Sequence, residues 1–135
     1  DSHISVSPVE ELRWLEYGQR LHTRHSNIAV DGVGQSVGES LLHGTLASGA
    51  HASGQAVGVL APGMAADWIE LEASAPTFAG ARPEDVVDRW LFSGNRNLVR
   101  QVHVAGQAVV VDGRHRQAEA ITARYRQVVA RLLAD

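Results

Sequence analysis

Leu98-Val99-Arg100-Gln101-Val102-His103-Val104, then Ala105-Gly106-Gln107, then Val109-Val110-Val111-Asp112-Gly113, is the stretch that decides the fold. Two β-branched runs flank a short glycine-containing turn, the pattern of a β-hairpin. Asp112-Gly113 supplies the turn signal that closes it off. Upstream, Val57-Gly58-Val59-Leu60 reads as extended and leads into Ala61-Pro62-Gly63. Proline there fixes φ and glycine supplies a positive φ, as a tight turn requires. Asp67-Trp68-Ile69-Glu70-Leu71-Glu72 then alternates as a half-buried strand, with the choice of core face left open.

Helical signals lie on either side of these strands. Ser7-Pro8-Val9-Glu10 sets out a capping box with proline at the first helical position. The helix it opens carries Leu12 and Leu15 on one stripe and Trp14, Tyr17 and Leu21 on another, which predicts a mostly buried helix ending near Arg24. A glycine-containing loop from His25 to Gly38 follows, and within it Ser36-Val37-Gly38-Glu39 is a second capping box. The helix that starts there is expected to break at Ser48-Gly49, with a separate turn to Gly54 and close packing at its small residues. Ala73 to Ala81 reads as loop, and Pro83-Glu84-Asp85 opens a short helix ended by Ser93-Gly94-Asn95. The last element is amphipathic, with Ile121, Tyr125, Val128 and Leu132 at helical spacing. The class is therefore α/β: helices, a few strands, then a helix, with no internal repeat.

Composition bounds what such a chain can do. Its 135 residues make one domain's worth of polypeptide, and 44% hydrophobic residues exclude a disordered chain. A complete (β/α)8 barrel needs roughly 200 to 250 residues, so the chain cannot contain one. It begins with Asp1 and its one methionine is Met64, which points to a processed product or an excerpt of a longer protein. All 12 basic residues are arginines spread along the sequence, and the net charge is −3. That leaves no footprint for nucleic acid and no polybasic membrane segment. Cysteine is absent, which removes disulfides and thiolate chemistry and fits a reducing cytoplasm. No apolar run approaches the roughly 20 residues of a membrane helix.

Self-sufficient catalytic motifs are missing as well. There is no G-x-S-x-G elbow, P-loop or G-x-G-x-x-G, and Gly32-Val33-Gly34 reads as plain loop. His22 and His25 lie three apart at a helix end, where imidazoles suit the helix dipole without any metal. His43, His51, His103 and His115 fall on separate elements and read as satisfied or solvated. Glu10-Glu11 and Glu84-Asp85 sit in first helical turns, where the dipole favours anions. Asp1, in Asp1-Ser2-His3-Ile4-Ser5 just before a capped helix, resists such an account. Barrel enzymes place metal and substrate ligands where a strand ends and a loop leads into a helix.

Asp1-Ser2-His3-Ile4-Ser5-Val6-Ser7-Pro8, followed by the run from Glu11 to Leu21, resembles the C-terminal third of the bacterial formimidoylglutamate deiminases. These belong to the amidohydrolase superfamily. Gly58-Val59-Leu60-Ala61-Pro62-Gly63-Met64-Ala65-Ala66-Asp67 is similar to the superfamily's return into a small β-sandwich. Val102-His103-Val104-Ala105-Gly106 with Val110-Val111-Asp112-Gly113 is similar to its closing hairpin, and Asp88 to Gly94 also resembles the deiminases.

The resemblance implies an α/β fold in which residues 1–55 are the C-terminal end of a (β/α)8 TIM barrel, with the last strand's tip and the closing helices. Residues 56–115 would be part of a composite β-sandwich with a short helix inserted at 83–93, and residues 116–135 a terminal helix packing back. It implies a cytoplasmic hydrolase that uses one divalent metal, zinc by family habit. The reaction would turn N-formimino-L-glutamate into N-formyl-L-glutamate and ammonia in histidine degradation. Asp1 would be both metal ligand and catalytic carboxylate, carrying a proton from the attacking water. The implied partner is a small-molecule substrate, with no nucleic acid and no membrane, and a homo-oligomer stays open. The family's other metal ligands and its substrate-carboxylate site have no counterpart among these residues, so this chain alone is expected neither to bind zinc tightly nor to turn over substrate. Substrate-binding residues stay unknown. Another deaminase of the superfamily (guanine or adenosine-derivative type) and a non-catalytic α+β interaction module are the alternatives.

Overall fold

A computed structural model of the chain describes residues 4–30, 32 and 35–134; Asp1, Ser2, His3, Asp31, Val33, Gly34 and Asp135 lie outside the described residues. The Asp1 assignment and part of the Gly32-Val33-Gly34 loop therefore fall where nothing is described. Helix α1 spans Pro8–Thr23 and begins as its sequence dictates, with Ser7 Oγ accepting from Glu10 N at 3.3 Å. It stops at Arg24, whose left-handed φ of 59° lets its N–H close on the Arg20 carbonyl. The expectation of a mostly buried helix does not hold. Leu12 and Glu16 are buried, while Trp14, Leu15 and Leu21 stay between 53% and 78% exposed. The covered side of α1 is the one that carries Leu12 and Glu16 and meets α3, and it leaves part of each apolar stripe exposed.

Helix α2 runs uninterrupted over Val37–Ser53, capped by Ser36 Oγ accepting from Glu39 N at 3.0 Å. Ser48-Gly49 does not break it, contrary to the sequence expectation. A glycine inside a helix costs about 1 kcal/mol, whereas abandoning the helix forfeits bonds whose nucleation has already been met. The break comes at Gly54, at φ 64°, a conformation glycine adopts without penalty. The small residues mark close packing at one point only: a Cβ at Gly44 or Gly49 would meet nothing within 4 Å, but one at Gly58 would sit 3.0 Å from the Leu46 carbonyl oxygen and 3.5 Å from Ala50 Cβ. Close approach also occurs at Gly38, where a Cβ would sit 2.8 Å from Asp88 Oδ1. Asp88 uses that oxygen to accept from Gly38 N at 2.6 Å, so it caps α2 from another helix.

Residues 57–60, read as extended, form no strand; the turn after them is as expected. Gly63 has φ 86° and Met64 N donates to the Ala61 carbonyl at 3.1 Å, a type II turn. Strand β1 then covers Trp68–Leu71 and is followed by two single 3-10 turns, Pro76–Phe78 and Pro83–Asp85. The second leads directly into α3, Val86–Phe92. Strands β2 (Val99–Val104), β3 (Gln107–Val111) and β4 (Arg114–His115) complete an antiparallel sheet of order β1-β2-β3-β4. Ala105 and Gly106 both take positive φ, the two-residue hairpin turn that matches strand twist. Asp112 and Gly113 repeat that geometry, so this pair opens a further strand, β4, rather than simply ending the hairpin.

The core gathers Leu12, Val37, Leu41, Ala75, Trp90, Leu91 and Leu98. It draws on residues either side of position 55, so the helices and the entry to the sheet share one interior. Helix α4, Ala118–Leu132, is amphipathic as its pattern requires, but it contains no buried residue. Ile121, Tyr125 and Leu132 are 55% to 71% exposed. Thus the architecture is mixed α/β with a four-stranded antiparallel sheet.

Candidate functional site

The segment that would carry the catalytic carboxylate enters α1 at Ser7, and the inner face of α1 determines how that helix sits. Leu12 is buried in the core, and the next residue, Arg13, reaches the end of α3. Its guanidinium donates to the carbonyls of Leu91 and Gly94 at 2.7 Å each and to Asn95 Oδ1 at 2.6 Å. The Leu91 carbonyl is one that a helix end leaves without an intrahelical partner, and a cation there also meets the negative end of the dipole.

Glu16 follows at the next inward position and is fully buried. Its Oε1 accepts from Arg20 Nε at 2.7 Å and from Ile28 N at 3.0 Å, and its Oε2 from Ala29 N at 2.9 Å. Burial pushes the Glu16 carboxyl up, but the bonds from Arg20 and the two amides outweigh it and hold it below the ordinary glutamate value. Arg20 in turn lies over Tyr17 and Phe92, at 5.4 Å and 5.7 Å from the ring centroids. Sequence reasoning missed both ties. The signal was present in Leu12, Glu16 and Arg20 at spacings of four, which put an acid on the buried stripe beside a cation that could neutralise it.

Among the described residues the histidines do not converge. His22 and His25 sit exposed at the end of α1, His43 and His51 lie on the exposed side of α2, and His115 Nδ1 accepts from Gln117 N at 3.2 Å. His103 is the unusual one. It pairs across the ladder with Trp68 and stacks on it, with centroids 4.1 Å apart and planes 9° from parallel. Its Nδ1 is buried without a hydrogen-bond partner among the described residues. Among those residues no group of three His, Cys, Asp or Glu could hold a metal ion.

Two concavities mark the surface of the described residues. One is an apolar groove of about 990 Å³ between α2 and the β1–β2 face, lined by Leu46, Val59, Leu60, Ile69 and Val104 beside the Trp68–His103 stack. The other is a polar cleft of about 570 Å³ where the start of α2 meets the start of α3, with Glu39, His43, Arg82, Asp85 and Asp88 on its walls. In that cleft the Arg82 guanidinium donates to Asp85 at 3.0 Å and 3.1 Å, which holds the Asp85 carboxyl below its ordinary value. Among the described residues no hydroxyl in either concavity is hydrogen-bonded to a histidine or carboxylate: in the polar cleft Ser36 Oγ accepts from Glu39 N and Ser40 Oγ donates to the Ser36 carbonyl. No helix among the described residues is long and apolar enough to cross a membrane.

No protein-family profile matches the chain. The chain is similar to the formimidoylglutamate deiminase of Pseudomonas aeruginosa, with 46% identity over 133 residues, or 98% of this chain and 29% of that protein. A solved structure, an amidohydrolase from Brucella melitensis, superposes with a TM-score of 0.85 at 32% identity over 98% of the chain. Here too the chain spans 29% of the other protein's length.

Proposed function

We propose that this chain is a portion of a metal-dependent amidohydrolase whose reaction is the hydrolysis of N-formimino-L-glutamate. Water adds to the formimino carbon and its C–N bond to the terminal nitrogen breaks, giving N-formyl-L-glutamate and ammonia. The observation that carries this reading is the 46% identity to a formimidoylglutamate deiminase sustained over 98% of the chain. The Brucella amidohydrolase supports it from an independent direction, through the fold.

In this reading residues 1–55 close a (β/α)8 barrel, residues 56–115 contribute to a sandwich, and the enzyme works in the cytoplasm on a small molecule. Asp1 is the one residue of the chain assigned to the zinc site and to proton transfer. The described residues do not fit a metal, since no trio of them could hold one. The 135-residue chain by itself is therefore expected to be inactive. The exposed Trp14, Leu15 and Leu21 weigh against a self-sufficient interaction module, because a free-standing domain rarely leaves such a patch uncovered.

Ammonia release by the longer polypeptide that contains this chain decides the substrate. N-formimino-L-glutamate is expected to be turned over with kcat/KM at least a hundredfold above guanine and adenosine derivatives. Preference for one of those purines, or no hydrolysis of any, would overturn the assignment.

A further inference from the structure

Glu16 is the one fully buried charged side chain among the described residues, and the proposed reaction makes no use of it. All three of its bonds come from donors: one from Arg20 on its own helix, two from backbone amides of the segment that leaves α1. Ala29 and Val30 of that segment, residues 24–30, pack against the core, while its other polar ties are few. Arg24 N donates to the Arg20 carbonyl at 2.8 Å and His25 N reaches Thr23 Oγ1 at 3.4 Å. Asn27 sits at φ 56°, a left-handed conformation that asparagine tolerates better than most non-glycine residues.

We propose that Glu16 is an anionic clasp, whose charge holds the strap of residues 24–30 closed on α1 and whose neutralisation opens it. Charge is the operative property because every partner is a donor. A neutral carboxyl or an amide in the same place presents a donor of its own to at least one of them. Arg20 is the charged group bonded to the clasp. The strap contributes backbone amides, with Arg24 and His25 turned to solvent, and α3 contributes the Phe92 ring beneath Arg20. Arg13, on the same face of α1, is committed to the end of α3. The depressed Glu16 carboxyl keeps the clasp shut at neutral pH and opens it only in acid.

Amide hydrogen exchange on the full chain, corrected for intrinsic rates, tests the clasp at Ile28 and Ala29. At pH 7 both amides are expected to be protected in the wild type. Glu16→Gln should lower that protection at least tenfold while Leu91 in α3 changes less than twofold. Arg20→Met leaves the carboxylate in place and should keep both amides within threefold of wild type. Wild-type protection of Ile28 and Ala29 in Glu16→Gln overturns the proposal. If Glu16→Gln unfolds, acid titration of the wild type reads the same claim. The two amides must then lose protection together and before Leu91, and simultaneous loss with Leu91 overturns it.

Discussion

In the helical layer, α1, α2 and α3 meet around Leu91, which is completely shielded, and charged side chains complete the contacts: Arg13 on the end of α3, Asp88 on the start of α2, Glu16 on the strap. In the sheet layer every strand from β1 to β4 pairs with the next, with a register shift in each of the first two ladders, yet Ile69, Val104 and Val111 are 43% to 50% exposed and α4 has no fully buried residue. Backbone hydrogen bonding runs through both layers, with His103 Nδ1 in the sheet left without a partner among the described residues, but apolar burial is concentrated in one. Since burial supplies most of the favourable free energy of folding and ladders add little net, the two layers should respond unequally to the same kind of substitution.

The largest expected effect is at Leu91. Replacing it with alanine leaves a cavity where no solvent reaches, and denaturant unfolding should show a loss of about 3–5 kcal/mol. An effect under about 1 kcal/mol would mean that the helices do not share a tight interior. Glu16→Gln comes next, at about 2–3 kcal/mol near neutral pH, because buried amides lose an ionised acceptor. This loss depends on pH in a defined direction. The folded carboxyl titrates below its unfolded value of about 4.3, so its contribution is complete above that pH and disappears as pH falls through the lower, folded value. The gap between wild type and Glu16→Gln should therefore close in acid; a gap that widened there would break the account. Smallest is Ile121→Ser on α4, expected to change stability by less than about 0.5 kcal/mol in this chain, as for an exposed site with no burial to lose. A large effect there would show that α4 is packed after all.

The same division explains what could be read in advance. Ser7, Ser36, Pro62-Gly63 and Ala105-Gly106 act through their immediate neighbours, so caps and turns were legible to within a residue. Ser48-Gly49 was misread because helix continuation is cooperative and outweighs a local breaker. The stripe of Trp14, Leu15 and Leu21 promised burial, but burial depends on what lies opposite, which periodicity does not report. Glu16 was missed for a related reason: a buried acid is legible only once its donors, twelve and thirteen residues further on, are known. At the candidate site, Asp1 came from local motif and resemblance alone and lies outside the described residues.

The most direct measurement of what this chain contributes is ammonia release from N-formimino-L-glutamate by the longer polypeptide carrying Asp1→Asn. The account expects kcat to fall by about 10²–10⁴, the usual scale for losing a positioned proton-transfer group. Activity within twofold of the unsubstituted enzyme would contradict it.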